Sequence, residues 1–175
     1  TMRPKLPFGI AQSGKAFRNE ITLGNFIFRT LEFNLAEFEY FIDPRSDKWE
    51  DRYKTWKEEM YSWITDIGVD KENLKWREHT EDERSFYSTH TEDLDFKYAE
   101  VGFKEMFGFA YRTDFDLKNH MEKSGIDLRY VDQSNGEKFF PHVLEPTFGI
   151  NRVFLALLVN GYTEEEDRVV LKLDK

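Results

Sequence analysis

FGIAQSGKAFRNEITLGNFIFRTLEFNLAEFEYFI, residues 8–42, is the stretch that decides the fold. Side chains alternate between the two faces of a strand. Phe33, Leu35, Glu37, Glu39 and Phe41 therefore share one side of a regular strand. Phe8, Ile10 and Phe17 mark a strand-like first half, and Leu23-Gly24-Asn25 is a turn signal. The pattern predicts an antiparallel hairpin, its second strand running over residues 26–42 and its turn at Gly24-Asn25. Glu37 and Glu39 break the apolar pattern of their face. Such a strand either has one solvated face or lines a concave surface that holds an ammonium group or magnesium.

Outward from the hairpin, Tyr53, Trp56, Met60, Trp63, Ile64 and Ile67 recur at helical spacing. They predict a helix over 48–67, with Gly68 as its C-terminal cap. Residues 74–77 read as a short strand and 81–88 as one or two helical turns. Strands resume at Leu94-Phe96-Tyr98 and alternate again through Phe103, Glu105, Phe107 and Phe109. Thr113 or Asp114 caps a helix reaching Ser124, which Gly125 ends. A strand over 139–144 is expected to turn at residues 145–149 into a last helix. That helix buries Ile150, Val153, Phe154, Leu157 and Leu158 and stops near Asn160-Gly161. Residues 163–167 form an acidic solvated stretch, and 171–175 look like a strand or helix cut short. The sum is an α+β chain, a mostly antiparallel sheet flanked by helices.

The 175 residues suit one domain. Cysteine is absent, which excludes disulfides and thiolate metal sites. No apolar run approaches the roughly 20 residues needed to span a bilayer. The formal charge of −9 argues against a protein that coats DNA. His79, His90, His120 and His142 share no metal spacing, and no serine sits in a nucleophile elbow. No Walker or dinucleotide loop occurs.

Three groups can carry chemistry. Arg18 and Glu20 share a strand face, either as a surface ion pair or as a phosphate-binding guanidinium with its carboxylate. Arg29, Glu32, Phe33, Glu37 and Glu39 crowd the returning strand. Arg152 falls in the first turn of the last helix, where a cation opposes the helix dipole. An anionic ligand or an acidic neighbour offsets that cost.

Several separated blocks resemble glycyl-tRNA synthetase, a class II aminoacyl-tRNA synthetase of the α2 type, in its bacterial branch. Residues 8–21 are similar to the entry of motif 2, and Gly24-Asn25-Phe26-Ile27-Phe28-Arg29-Thr30 with Glu32-Phe33 to its return. Arg112-Thr113-Asp114-Phe115-Asp116-Leu117 with His120 is a third block, and Glu145-Pro146-Thr147-Phe148-Gly149-Ile150-Asn151-Arg152 resembles motif 3. The resemblance makes residues 1–175 one partial catalytic domain, with motif 2 at about 8–42, a helical insertion at about 48–90 and motif 3 at about 139–160.

It implies a ligase that uses ATP and Mg²⁺ to join glycine to tRNA(Gly), cytoplasmic, not membrane-bound and homodimeric at full length. Arg18 and Arg152 take the catalytic roles. Arg18 meets the α-phosphate, Glu20 the adenine, Arg29 the polyphosphate and Phe33 the adenine ring. Arg152 meets the γ-phosphate or the other adenine face. Glu37, Glu145 and Thr147 hold glycine, with Glu145 also near the metal. Leu23 replaces a usual proline and Leu31 a usual arginine. The family's motif 1, its upstream glycine-pocket block and its anticodon-binding domain have no counterpart within these residues. An alternative follows: a weak or inactive synthetase-like fragment or paralogue that binds a nucleotide or a partner.

Overall fold

The computed structural model describes residues 4–99 and 101–173; parts of the two expected chain ends, 1–3 and 174–175, lie outside them. In chain order the elements are β1 (Phe8–Phe17), β2 (Glu32–Ile42), α1 (Trp49–Asp66), a turn of 3-10 helix (Lys71–Asn73), β3 (Leu74–Glu78), β4 (His90–Tyr98) and β5 (Gly102–Thr113). There follow α2 (Phe115–Ser124), β6 (Tyr130–Val131), β7 (Lys138–Phe139), β8 (His142–Gly149), α3 (Ile150–Gly161), β9 (Tyr162–Glu164) and β10 (Val169–Leu171). Six strands make one sheet in the order β1-β2-β8-β5-β4-β3, each neighbouring pair antiparallel. This is the α+β arrangement of an antiparallel sheet flanked by helices that the sequence predicts.

One face of the sheet is covered. Phe38 and Tyr40 turn away from Glu37 and Glu39 and meet Trp56 of α1 at ring distances of 5.7 and 5.6 Å. Tyr53 stacks on Phe109 at 3.9 Å, and its hydroxyl donates to the Phe109 carbonyl at 2.7 Å. Val153 and Ala156 of α3 close the same core, with Phe96, Phe107, Leu144 and Phe148 from the sheet. The opposite face is polar. A row of cross-strand partners runs Gln12, Glu37, Thr147, Gly108, Asp93, Arg77 from one edge to the other.

Five local expectations change. The hairpin is longer in its loop: β2 begins at Glu32, and residues 18–31 form an irregular excursion instead of a tight turn followed by strand. Phe17 pairs with Glu32, and Arg18 N–H donates to the Leu31 carbonyl at 3.0 Å, so the loop closes at its base. Residues 81–88 are turns, not helix. Residues 145–149 continue β8 straight into α3, with no turn between. Phe154 is 53% exposed; the buried stripe of α3 is Val153 and Ala156, with Ile150, Leu155 and Leu157 packed beside it. The acidic stretch belongs to a hairpin of β9 and β10. Gly68, at φ 102°, ends α1 as the sequence predicts. No described helix is long and apolar enough to cross a membrane.

Phe109→Ala is expected to cost about 3–5 kcal/mol, since it empties fully buried volume beneath Tyr53. Urea unfolding measures it; a loss under about 1 kcal/mol would show that the core does not rest on this stack.

Candidate active site

Two sites adjoin on the polar face. The first is a cleft between the loop 18–31 and the start of α3. Arg18, Glu20, Arg29, Phe33, Thr147 and Arg152 line it, with Phe28, Asn34, Glu105 and Asn151. The Arg18 guanidinium lies over the Phe33 ring at 5.3 Å, a cation–π contact. Arg29 and Glu20 are 4.0 Å apart across the loop. The loop holds itself by Gly24 N–H donating to the Arg29 carbonyl at 2.9 Å and Phe28 N–H to the Asn25 carbonyl at 3.1 Å. A Cβ on Gly24 would stand 2.9 Å from that of Arg29, so the backbone here approaches too closely for a side chain. Asn151 of α3 ties the cleft together, its Oδ1 accepting from the Asn34 backbone N–H at 3.2 Å and side-chain amide at 3.3 Å.

The second site is a pit of carboxylates. The ladder between β2 and β8 pairs residues 35–37 with 149–147 and 40–42 with 144–142. It is interrupted where Pro146 lies, because proline has no N–H to give. At the constant register, Glu39 and Glu145 face each other at this gap. Arg112 grips Asp116 through two bonds of 2.7 and 3.0 Å, donates to Glu145, and stacks on Tyr87 at 3.9 Å. Burial pushes the Glu39 carboxyl up to about 7; Glu145, Glu37 and Asp116 add to the rise, and Arg112 opposes it. Burial also raises Glu145, against its bond from Arg112. Beside the pit, β5 presents the small residues Gly108 and Ala110, paired with Thr147 and Glu145.

A profile of the tRNA synthetase class II core domain (G, H, P, S and T) matches residues 1–161. The chain belongs to the class II tRNA synthetase family. It is 50% identical over 165 residues to a glycine–tRNA ligase of Clostridium acetobutylicum, covering 94% of this chain and 35% of that protein. It is 47% identical over 178 residues to the glycine–tRNA ligase of Caldanaerobacter subterraneus, covering 99% and 38%. A Macrococcus caseolyticus glycine–tRNA ligase is 51% identical over 166 residues, covering 94% and 35%. The synthetase core described here thus spans little more than a third of the length of these bacterial relatives, and its family assignment is to the glycine–tRNA ligases.

In this synthetase core, Arg18, Glu20, Arg29, Phe33, Thr147 and Arg152 come together in the cleft although they are far apart in the chain. Glu37 stands across from Thr147, where cleft and pit meet. Glu145 lies in the pit under Arg112, and the carboxylate beside Arg152 is Glu105, at 3.1 Å. Regular alternation had grouped Glu105 with the core residues Phe107 and Phe109. A bulge in the β4–β5 pairing pairs Glu105 with Asp95 and Phe107 with Leu94, and so turns Glu105 to the polar face. Arg112 and Asp116 belonged to a recognised block without a role; their aim at Glu145 depends on how α2 leaves β5. Glu39 was legible as a carboxylate on the right face. Among the described residues, no three metal-ligating side chains gather as a metal site.

The pit makes stability depend on pH. Folded Glu39 keeps its proton up to about 7, whereas its ordinary value is 4.5. Between those values the unfolded chain has lost the proton that the folded one keeps, so stability falls as pH rises through this window and levels off above it. Glu39→Gln should flatten that fall and gain about 1–2 kcal/mol near pH 8, allowing for solvent screening. Urea melts near the two ends of the window check it; an unaltered profile would remove Glu39 from the pit's charge balance.

Proposed function

We propose that this chain carries the amino-acid activation chemistry of a glycine–tRNA ligase, with ATP and glycine as first substrates and the acceptor end of tRNA(Gly) as the second. The observation that carries the reading is the adjacency of an arginine-and-aromatic cleft to a carboxylate pit, joined at Thr147. The cleft suits a nucleotide: Phe33 offers a ring to the base, Arg18 and Arg29 offer charge to phosphates, and Arg152 offers a planar cation. The pit suits a small ammonium group, through Glu37, Glu39 and Glu145, with the Thr147 hydroxyl available as a donor.

A glycine lying across the junction directs its carboxylate toward the α-phosphorus. A carboxylate oxygen bonds to phosphorus and the bridging oxygen to pyrophosphate departs, leaving glycyl-adenylate. Negative charge grows on the phosphate oxygens, and Arg18, which stands over the Phe33 ring in the free cleft, turns to answer it. No protein nucleophile is required. A ribose hydroxyl of the tRNA end then attacks the acyl carbon, and AMP leaves. A pocket sized for glycine rejects a Cβ-bearing amino acid by exclusion.

Magnesium travels with the phosphates and is held in such sites by one or two carboxylates besides. Each of the two nearby carboxylates accepts from an arginine, Glu105 from Arg152 and Glu145 from Arg112, but Glu105 stands exposed on the cleft wall and Glu145 does not, so Glu105 fits that part better. The ion would neutralise developing charge. The full-length ligase is expected to be a cytoplasmic homodimer. A second reading, a nucleotide-binding module without ligase activity, draws on Leu31, an apolar and exposed residue beside the phosphate arginines.

Calorimetry with ATP and Mg²⁺ tests the nucleotide site. Phe33→Ala should lose about 1–3 kcal/mol of affinity; unchanged affinity in a folded variant removes Phe33 from the site. Glycine-dependent ATP–pyrophosphate exchange tests the chemistry. Exchange that disappears in Arg18→Ala supports activation of glycine. ATP binding with no exchange supports the second reading, and no ATP binding overturns both.

A further inference from the structure

Arg152 is held at several points and keeps part of its side chain exposed. Tyr98 donates its hydroxyl hydrogen to the Arg152 carbonyl at 3.1 Å. Nη1 donates to the Glu105 carbonyl at 2.7 Å and to its carboxylate at 3.1 Å. Nε donates to the carbonyl of Phe28 at 3.2 Å, and the guanidinium carbon stands 4.7 Å from the centroid of the Phe28 ring. Phe28 itself meets Tyr98 edge-on at 5.1 Å. Phe28 belongs to the loop between β1 and β2, Arg152 to the first turn of α3; they lie 124 residues apart in the chain. The helix dipole does not favour a cation at that position, so contacts must fix the side chain.

A guanidinium is flat and has two faces. The guanidinium carbon lies over the Phe28 ring and Nε donates to the Phe28 carbonyl, so one residue holds the group at two points. We propose that Phe28 is a positioning residue for Arg152: it orients the guanidinium so that a purine held in the cleft stacks on the face left open. The loop 18–31 and the start of α3 then present their groups to the nucleotide as one unit. The inference rests on the nucleotide reading of the cleft and adds a residue that reading leaves without a role. The opposite consequence of the same contact would be obstruction, with Phe28 holding the place that the purine needs. The two differ in sign.

The experiment uses this chain with Phe28→Leu and Phe28→Tyr, each alone and combined with Arg152→Lys. ATP affinity with Mg²⁺ is measured by calorimetry, and the arginine Nε–H signals by NMR. Backbone amide spectra establish that each variant is folded. Phe28→Leu should weaken ATP about 3- to 10-fold, the scale of one lost cation–π contact. Phe28→Tyr, which keeps the ring, should bind nearly as the parent does. In the Arg152→Lys background Phe28→Leu should cost little more, because both changes remove one arrangement. Equal losses in both backgrounds, no loss, or tighter binding overturns the proposal. The NMR arm stands apart from ATP: the Arg152 Nε–H should exchange slowly in the parent and fast in Phe28→Leu. If the parent binds no ATP, the functional reading fails by itself, and an unchanged Nε–H exchange in Phe28→Leu then overturns the positioning contact.

Discussion

Trp56 lies against Phe38 and Tyr40, and Tyr53 stacks on Phe109. Through contacts of this kind α1 and α3 cover one face of the sheet, and the arrangement of the other face depends on them. Apolar burial is the main favourable term in folding. Once it is supplied on one side, the alternate residues of each strand are free to be polar. Glu37 and Glu39 can occupy a central strand because Phe38 and Tyr40, one residue along, are the ones buried.

Pro146 gives that polar face its local shape. It lies in β8, between β2 and β5, a central strand whose residues bond in turn to one neighbour and then the other. The missing donor interrupts the ladder with β2 next to Glu145. Strands not pinned together at this level leave Glu39 and Glu145 facing each other, with Arg112 holding one of them. The high value of Glu39 comes first from burial, and the neighbouring carboxylates add to it more than the half-buried Arg112 guanidinium, shared with Asp116, takes away. An ammonium ligand would lower it, which links the proton content of the pit to its occupancy.

The nucleotide end obeys a different rule. Most of its groups come from the loop 18–31, which has no buried residue of its own, and from the exposed side of the start of α3. Cross-ties replace burial there: Asn34 to Asn151, Phe28 to Arg152, Tyr98 to the Arg152 carbonyl. Each is a modest interaction on its own. Together they place residues from the two ends of the chain around one cleft.

The sequence alone determined the face of β2, because a period of two leaves no choice once Phe38 and Tyr40 are apolar and Glu37 and Glu39 are not. It determined α1 and its glycine end, and the similarity of separated blocks determined the family and most of the cleft residues. Local patterns could not fix where β2 begins: Phe26, Ile27 and Phe28 are as apolar as any strand, and only the closure of Arg18 on Leu31 and the docking of Phe28 on Arg152 make them a loop. Glu105 was hidden by its alternation with Phe107 until a bulge against β4 turned it over. Glu145 was read as a holder of glycine near the metal, and its contact with Arg112, projecting from β5, was not legible in any local pattern. In each case the deciding contact joins residues distant in the chain, and periodicity carries information only about neighbours.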